Sequence, residues 1–160
     1  MDFHSKNVKI DNQDVRLLLF DTAGQEKFRS LIPMYIRDAN IIILVYDIAS
    51  KWTSIITILD KDSFKHATTG WLEQIKDLKK NDAIFALVGN KCDLIDSREV
   101  STEEAISVAK EKSFIFQEVS ALSGANINSL FYKQIFDQIV MQIRANMDEP
   151  VESKFIKISL

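Results

Sequence analysis

Residues 15–25 read VRLLLFDTAGQ: an apolar run broken only by Arg16, which stops at Asp21 and gives way to a short polar stretch around Gly24. The same construction recurs. Ile41 to Asp47 reads IIILVYD, and Ile84 to Asn90 reads IFALVGN, followed directly by Lys91-Cys92-Asp93. A weaker fourth run, Phe114 to Val119 (FIFQEV), leads into Ser120-Ala121-Leu122. Apolarity that is continuous rather than alternating implies strands covered on both faces, as in parallel sheets flanked by helices.

Helical patterns lie between the runs. Ser63 to Lys80 places Phe64, Ala67, Trp71, Ile75 and Leu78 at steps of three and four, which is one buried stripe. Ser101-Thr102-Glu103-Glu104 has the form of a capping box opening a helix to Lys112. Asn128 to Arg144 repeats the stripe with Leu130, Phe131, Ile135, Ile139 and Ile143, behind Asn128 as the expected cap. Strands alternating with helices of this length predict an open, mostly parallel α/β sheet. Ligands of such sheets sit at the carboxyl ends of the strands, so the polar clusters behind the runs are the place to look for chemistry.

Composition excludes several other classes. The chain has 160 residues, 46% hydrophobic and 27% charged, with a net charge of −3, a balance that fits one globular domain and no nucleic-acid partner. One cysteine, Cys92, and two histidines, His4 and His66, make neither a disulfide nor a zinc cluster, so a reducing, cytoplasmic setting is expected. The longest clean apolar run is six residues, Ile41 to Tyr46, against the roughly 18 that suggest a membrane span. Glycine is scarce. The four at 24, 70, 89 and 124 compare with roughly eleven at ordinary usage of about 7%. Neither a dinucleotide fingerprint nor a Walker A loop can be drawn on them.

DTAGQ, NKCD and VSAL, in this order and each behind a strand, resemble the third, fourth and fifth nucleotide-binding motifs of Ras-like small GTPases. KFRSLIPMYIRD (Lys27 to Asp38), followed by Leu44-Val45-Tyr46-Asp47-Ile48, is similar to Rab proteins, most of all to the Golgi-associated Rab-six subgroup. The resemblance implies a P-loop-NTPase-like (Ras-like) α/β fold over residues 1–145, GTP/GDP and Mg2+ as cofactors, GTP hydrolysis, and effector and regulator proteins of vesicle traffic as partners. It also implies site residues: Asp21, Thr22, Ala23, Gly24 and Gln25 for the phosphate side, and Asn90, Lys91, Asp93, Ser120, Ala121 and Leu122 for guanine. An effector surface of Phe28, Arg29, Leu31, Ile32, Tyr35 and Arg37 completes the set.

Chemistry supports each assignment. A buried carboxylate at a strand end, expected of Asp21, suits Mg2+ held through water. Gly24 lets its amide approach a phosphate oxygen, and Gln25 offers the acceptor and donor that orient an attacking water. The Asp93 carboxylate accepts both donors of guanine, N1–H and the 2-amino group, which adenine cannot supply in that arrangement. The resemblance implies that the Lys91 stem lies along the base plane, that Asn90 ties the loops together and that the Ala121 amide meets guanine O6. Taken singly, DTAGQ also admits a lesser reading as a strand-to-turn connection, and NKCD reads about as well as an Asx turn.

The chain also departs from the family pattern. The resemblance places a phosphate loop, a first switch and a central strand ahead of Asp2, so the sheet is expected to be incomplete at its amino-terminal side, with the edges of VRLLLF and IIILVYD open. Weak nucleotide binding follows. Residues 51–62 (KWTSIITILDKD) read as a loop insertion, and Leu122 stands where the family usually has Lys. The carboxyl-terminal residues FIKISL hold no cysteine for a lipid anchor, and 146–160 are expected to form a flexible tail. A non-catalytic interaction module on a degenerate GTPase fold is the alternative.

Overall fold

A computed structural model describes residues 2–10, 13–21, 32–37, 39–49, 63–70, 75, 83–145 and 154–159. Six strands form one sheet: β1 (Asp2–Ile10), β2 (Gln13–Asp21), β3 (Ile41–Asp47), β4 (Ile84–Asn90), β5 (Ile115–Glu118) and β6 (Lys154–Ser159), in the spatial order β1-β2-β6-β3-β4-β5. Only β1 and β2 are antiparallel, paired from Asp2 opposite Asp21 to Ile10 opposite Gln13. The pairs β2–β6, β6–β3, β3–β4 and β4–β5 are all parallel. The mostly parallel α/β sheet expected from the sequence is therefore present.

The continuous apolar runs serve two cores at once. In β3, Ile42, Leu44 and Tyr46 face one layer with Phe64, Ala67, Val100, Ala105 and Ala109, while Ile41 and Ile43 face the other with Val15, Leu130, Ile135 and Ile139. β4 divides likewise, Leu87 to the first layer and Ala86 and Val88 to the second. This two-sided burial is the reason these strands are apolar without alternation.

The helices are α1 (Ile32–Arg37), the short α2 (Ser63–Lys65) running into a π-helical turn (His66–Gly70), and α3 (Thr102–Glu111). A last helix, α4, passes through Ile127–Ser129, a π-helical stretch Leu130–Ile135, and Phe136–Ala145. Ser101 caps α3, its hydroxyl accepting the Glu104 amide at 3.1 Å. Phe64, Ala67 and Ile75 of the expected stripe are buried, whereas Trp71 and Leu78 lie outside the described residues.

Three expectations are corrected. Asn128 lies inside α4; the residue at the helix start is Asn126, in left-handed backbone at φ 59°, whose side chain donates to the Glu118 carbonyl instead of capping. Residues 146–160 are not tail throughout, because Lys154–Ser159 is β6. The edge of β2 is not left open either, since β6 pairs with it from Val15 to Phe20, whereas β6 covers the edge of β3 only at Ile41 and Ile42. The physical reason is local: FIKIS is rich in β-branched and aromatic residues, without Pro or Gly, and suits a strand slot that is otherwise unpaired. The 51–62 insertion lies outside the described residues.

Candidate functional site

Because β2, β6, β3, β4 and β5 run in the same direction, their carboxyl ends share one edge of the sheet. Asp21 closes β2, Asp47 closes β3 and Asn90 closes β4, with Lys91-Cys92-Asp93 immediately after it. Val119, Ser120 and Ala121 follow β5. The fold thus brings together at one edge the clusters that the sequence scatters over 100 residues.

Backbone bonds fix the two loops at the β4 and β5 ends. The Val119 amide donates to the Gly89 carbonyl at 2.8 Å, and the Cys92 amide to the Val119 carbonyl at 3.0 Å. Asn90 adds a side-chain tie, its Oδ1 accepting the Ala121 amide at 3.0 Å. Ser120 is fully buried and anchors its own turn: its hydroxyl accepts the Ser123 amide, its carbonyl accepts the Gly124 amide, and its amide donates to the Ala125 carbonyl. Gly124 sits at φ +78°, a conformation that disfavours any side chain.

Glu118, the last residue of β5, organises this corner from below. Its carboxylate takes two bonds from Arg98, at 2.7 and 2.9 Å, and a third from the Thr102 hydroxyl at 3.3 Å. Its carbonyl accepts the Asn126 side chain at 2.9 Å. Arg98 also donates to the Val100 carbonyl, so the segment after the 3-10 turn Ile95–Ser97 is clamped to β5. The guanidinium is held above its ordinary pKa, first by this hydrogen bonding to Glu118.

On the β3 side, Lys91 Nζ lies 2.6 Å from an Asp47 carboxylate oxygen, and the other oxygen accepts the Ala49 amide at 2.9 Å. The Lys91 backbone is left-handed at φ 68°, uncommon for a residue with a Cβ and a conformation that concentrates at functional turns. Hydrogen bonding to Asp47 and then its charge raise the lysine pKa. Asp93, Ala121 and Leu122 are exposed, with Leu122 at 89%. A loop pair braced from behind, with an exposed carboxylate and small residues in front, can accept donors from a planar heterocycle.

A family model described as the Ras family matches residues 1–142. The chain belongs to the Ras family. It is a small GTPase domain in which the match ends within α4, before β6. Members of the family bind GTP or GDP with Mg2+ and engage effectors and regulators.

The expected residues distribute unevenly over this Ras-family fold. Asn90, Lys91, Asp93, Ser120, Ala121 and Leu122 are brought to one corner. Asp21 stands at the same edge but is exposed rather than buried, a correction: it is the last residue of β2. A carboxylate at this edge has the hard oxygen donors that would suit Mg2+ held through water. Thr22, Ala23, Gly24, Gln25, Phe28, Arg29 and Leu31 lie outside the described residues. Ile32 and Tyr35 belong to α1, and Arg37 ends it, exposed.

In two details the geometry differs from expectation: the Ala121 amide is engaged by Asn90, and the Lys91 ammonium by Asp47. Sequence reasoning did not single out Asp47, Arg98, Glu118 or Asn126. Asp47 carried a signal, since it ends an apolar run as Asp21 does; the Arg98–Glu118 pair spans 20 residues and left none.

Proposed function

We propose that the chain is a Rab-like small GTPase of the Rab-six type, a guanine-nucleotide-dependent switch of vesicle traffic at the cytoplasmic face of the Golgi. The observation that carries the nucleotide part is the braced corner at the β4 and β5 ends, where Asn90 holds the Ala121 loop against the turn bearing Asp93. In this reading the Asp93 carboxylate accepts guanine N1–H and the 2-amino group, and the Lys91 stem covers the base plane. Asp21 serves Mg2+ through water, Gly24 the terminal phosphate, and Gln25 the attacking water. Phe28 to Arg37 forms the partner surface. The Rab subgroup rests on the residues Lys27 to Asp38 and Leu44 to Ile48.

Phosphate affinity is weakened in this 160-residue chain. No glycine-rich loop that could cradle phosphates occurs in it, and backbone amides of such a loop supply much of the grip on a nucleotide. Titration with fluorescent GDP and GTP tests this: binding in the micromolar range or weaker is expected, competed by guanine but not adenine nucleotides, and sub-micromolar binding overturns the weakening.

A second reading is favoured by β6, which fills the sheet position between β2 and β3 with a strand from outside the family-matched residues. It makes the chain an interaction module on a GTPase fold that holds traffic partners without turnover. Capture of such partners that is indifferent to added GDP or GTP distinguishes it from the switch.

A further inference from the structure

Asp47 ends β3 directly opposite Asn90, the last residue of β4, and so stands beside the turn that bears Lys91 and Asp93. Its backbone is pinned by Ser63, the first residue of α2: the Asp47 amide donates to the Ser63 hydroxyl at 3.2 Å, and that hydroxyl donates to the Asp47 carbonyl at 3.4 Å. One carboxylate oxygen, Oδ1, accepts the Ala49 amide at 2.9 Å. The other, Oδ2, takes the Lys91 ammonium at 2.6 Å. The carboxylate is therefore fixed by groups other than the lysine, and the lysine is the member that gains order from the contact.

We propose that Asp47 is a positioning residue for nucleotide recognition, holding the Lys91 side chain stretched from the β4 turn to the end of β3 so that its stem is set to receive a purine ring. The proposal rests on the reading of this corner as a guanine site. Stability does not account for the pair: the Lys91 side chain is 51% exposed, and ion pairs of such exposure contribute little to folding. Preorganisation does. A half-exposed lysine samples many rotamers and loses them on covering a ring, and a carboxylate that has already selected one lowers that cost. The left-handed Lys91 backbone, at φ 68°, adds a second constraint on where the stem begins. Charge alone argues the other way, because a carboxylate near a phosphate-bearing ligand repels it. Removing the Asp47 charge would then tighten binding, whereas loss of positioning weakens it, so the two effects differ in sign.

The test is a double-mutant cycle in nucleotide affinity on the full 160-residue chain. Asp47→Asn, Lys91→Met and the double variant are titrated with fluorescent GDP, with ADP as competitor, and urea unfolding of each is followed in parallel. Asp47→Asn should weaken GDP and ADP alike, by about three- to tenfold, because the stem packs on a ring face that both bases share. The preference for guanine should stay unchanged, since Asp93 reads the base edge. Lys91→Met, an exposed substitution that leaves the other Asp47 bonds in place, should lose a similar factor from the other half of the pair, and the double variant little more than either single one. Unchanged or tighter GDP binding in Asp47→Asn or in Lys91→Met overturns the proposal. So does an Asp47→Asn loss that persists undiminished in the Lys91→Met background, which would mark a general structural effect. Nucleotide binding without a guanine preference in the unsubstituted chain overturns the reading of the corner itself, and this proposal with it.

Discussion

Asn90 Oδ1 accepts the Ala121 amide at 3.0 Å, joining two loops that lie 31 residues apart in the chain. Asparagine does this where aspartate or alanine would not serve as well. Its amide group leaves a donor for other partners while its carbonyl oxygen holds the loop, and no net charge is placed beside Asp93. Asn90→Ala is expected to cost about 1 kcal/mol of stability, since the orphaned amide is near solvent. Guanine-nucleotide affinity should fall by a larger free energy than stability does. Urea denaturation and nucleotide titration on the same variant check the comparison.

The Arg98–Glu118 pair braces the same corner in a fork geometry, with both side chains mostly shielded. Glu118→Gln keeps the shape but removes the charge, and leaves the guanidinium without its counter-ion. A loss of about 1–3 kcal/mol follows, with Arg98→Lys nearly as costly because an ammonium cannot make the paired bonds. Chemical denaturation of the two variants decides it.

Gly89 is required by packing. A Cβ built there meets Tyr46 Oη at 2.7 Å and Cζ at 2.9 Å, and Tyr46 is buried. Gly89→Ala should therefore destabilise by about 1–3 kcal/mol. The Tyr46 hydroxyl has no hydrogen-bond partner among the described residues, and burial pushes its pKa far up. Tyr46→Phe is accordingly expected to be neutral or stabilising by up to about 1 kcal/mol, and to reduce the cost of Gly89→Ala when the two are combined. A double-mutant cycle by thermal or urea unfolding measures the coupling.

Two groups give pH signatures. Lys91 has a raised pKa because Asp47 bonds to its charged form. Its stabilisation is therefore present at neutral pH and lost as pH rises through that elevated value. In Asp47→Asn the lysine should titrate lower, which NMR of its side-chain methylene resonances reads directly. The Cys92 thiol is also raised, chiefly by burial and next by the charge of Asp93. Alkylation by iodoacetamide at neutral pH should be slower than for a free thiol and should accelerate in Asp93→Asn, as followed by mass spectrometry.

The strands carrying the site were legible because burial on both faces leaves short continuous apolar runs, and IIILVYD and IFALVGN are seven residues long, carry β-branched residues and close on a polar residue, which favours a covered strand. The base-side cluster was legible for a related reason, since each polar group ends such a run. β1 left little trace because DFHSKNVKI is mostly exposed and polar, its strand state set by pairing with β2 rather than by its own pattern. β6 escaped for the opposite reason. FIKIS is a good strand sequence, but nothing local says which slot it fills; that depends on two strands more than 100 residues away. Asp21 was expected buried from its place at a strand end, and it is exposed because position alone does not decide what covers the edge.

The most direct test of guanine recognition at this corner compares the affinities of guanine and adenine nucleoside diphosphates for the chain and for its Asp93→Ala variant. The account predicts a preference for guanine of about a hundredfold or more in the unsubstituted chain, collapsing toward equality in the variant, because the two base donors lose their acceptor. Equal affinity for the two bases, or a guanine preference that survives Asp93→Ala, would contradict it.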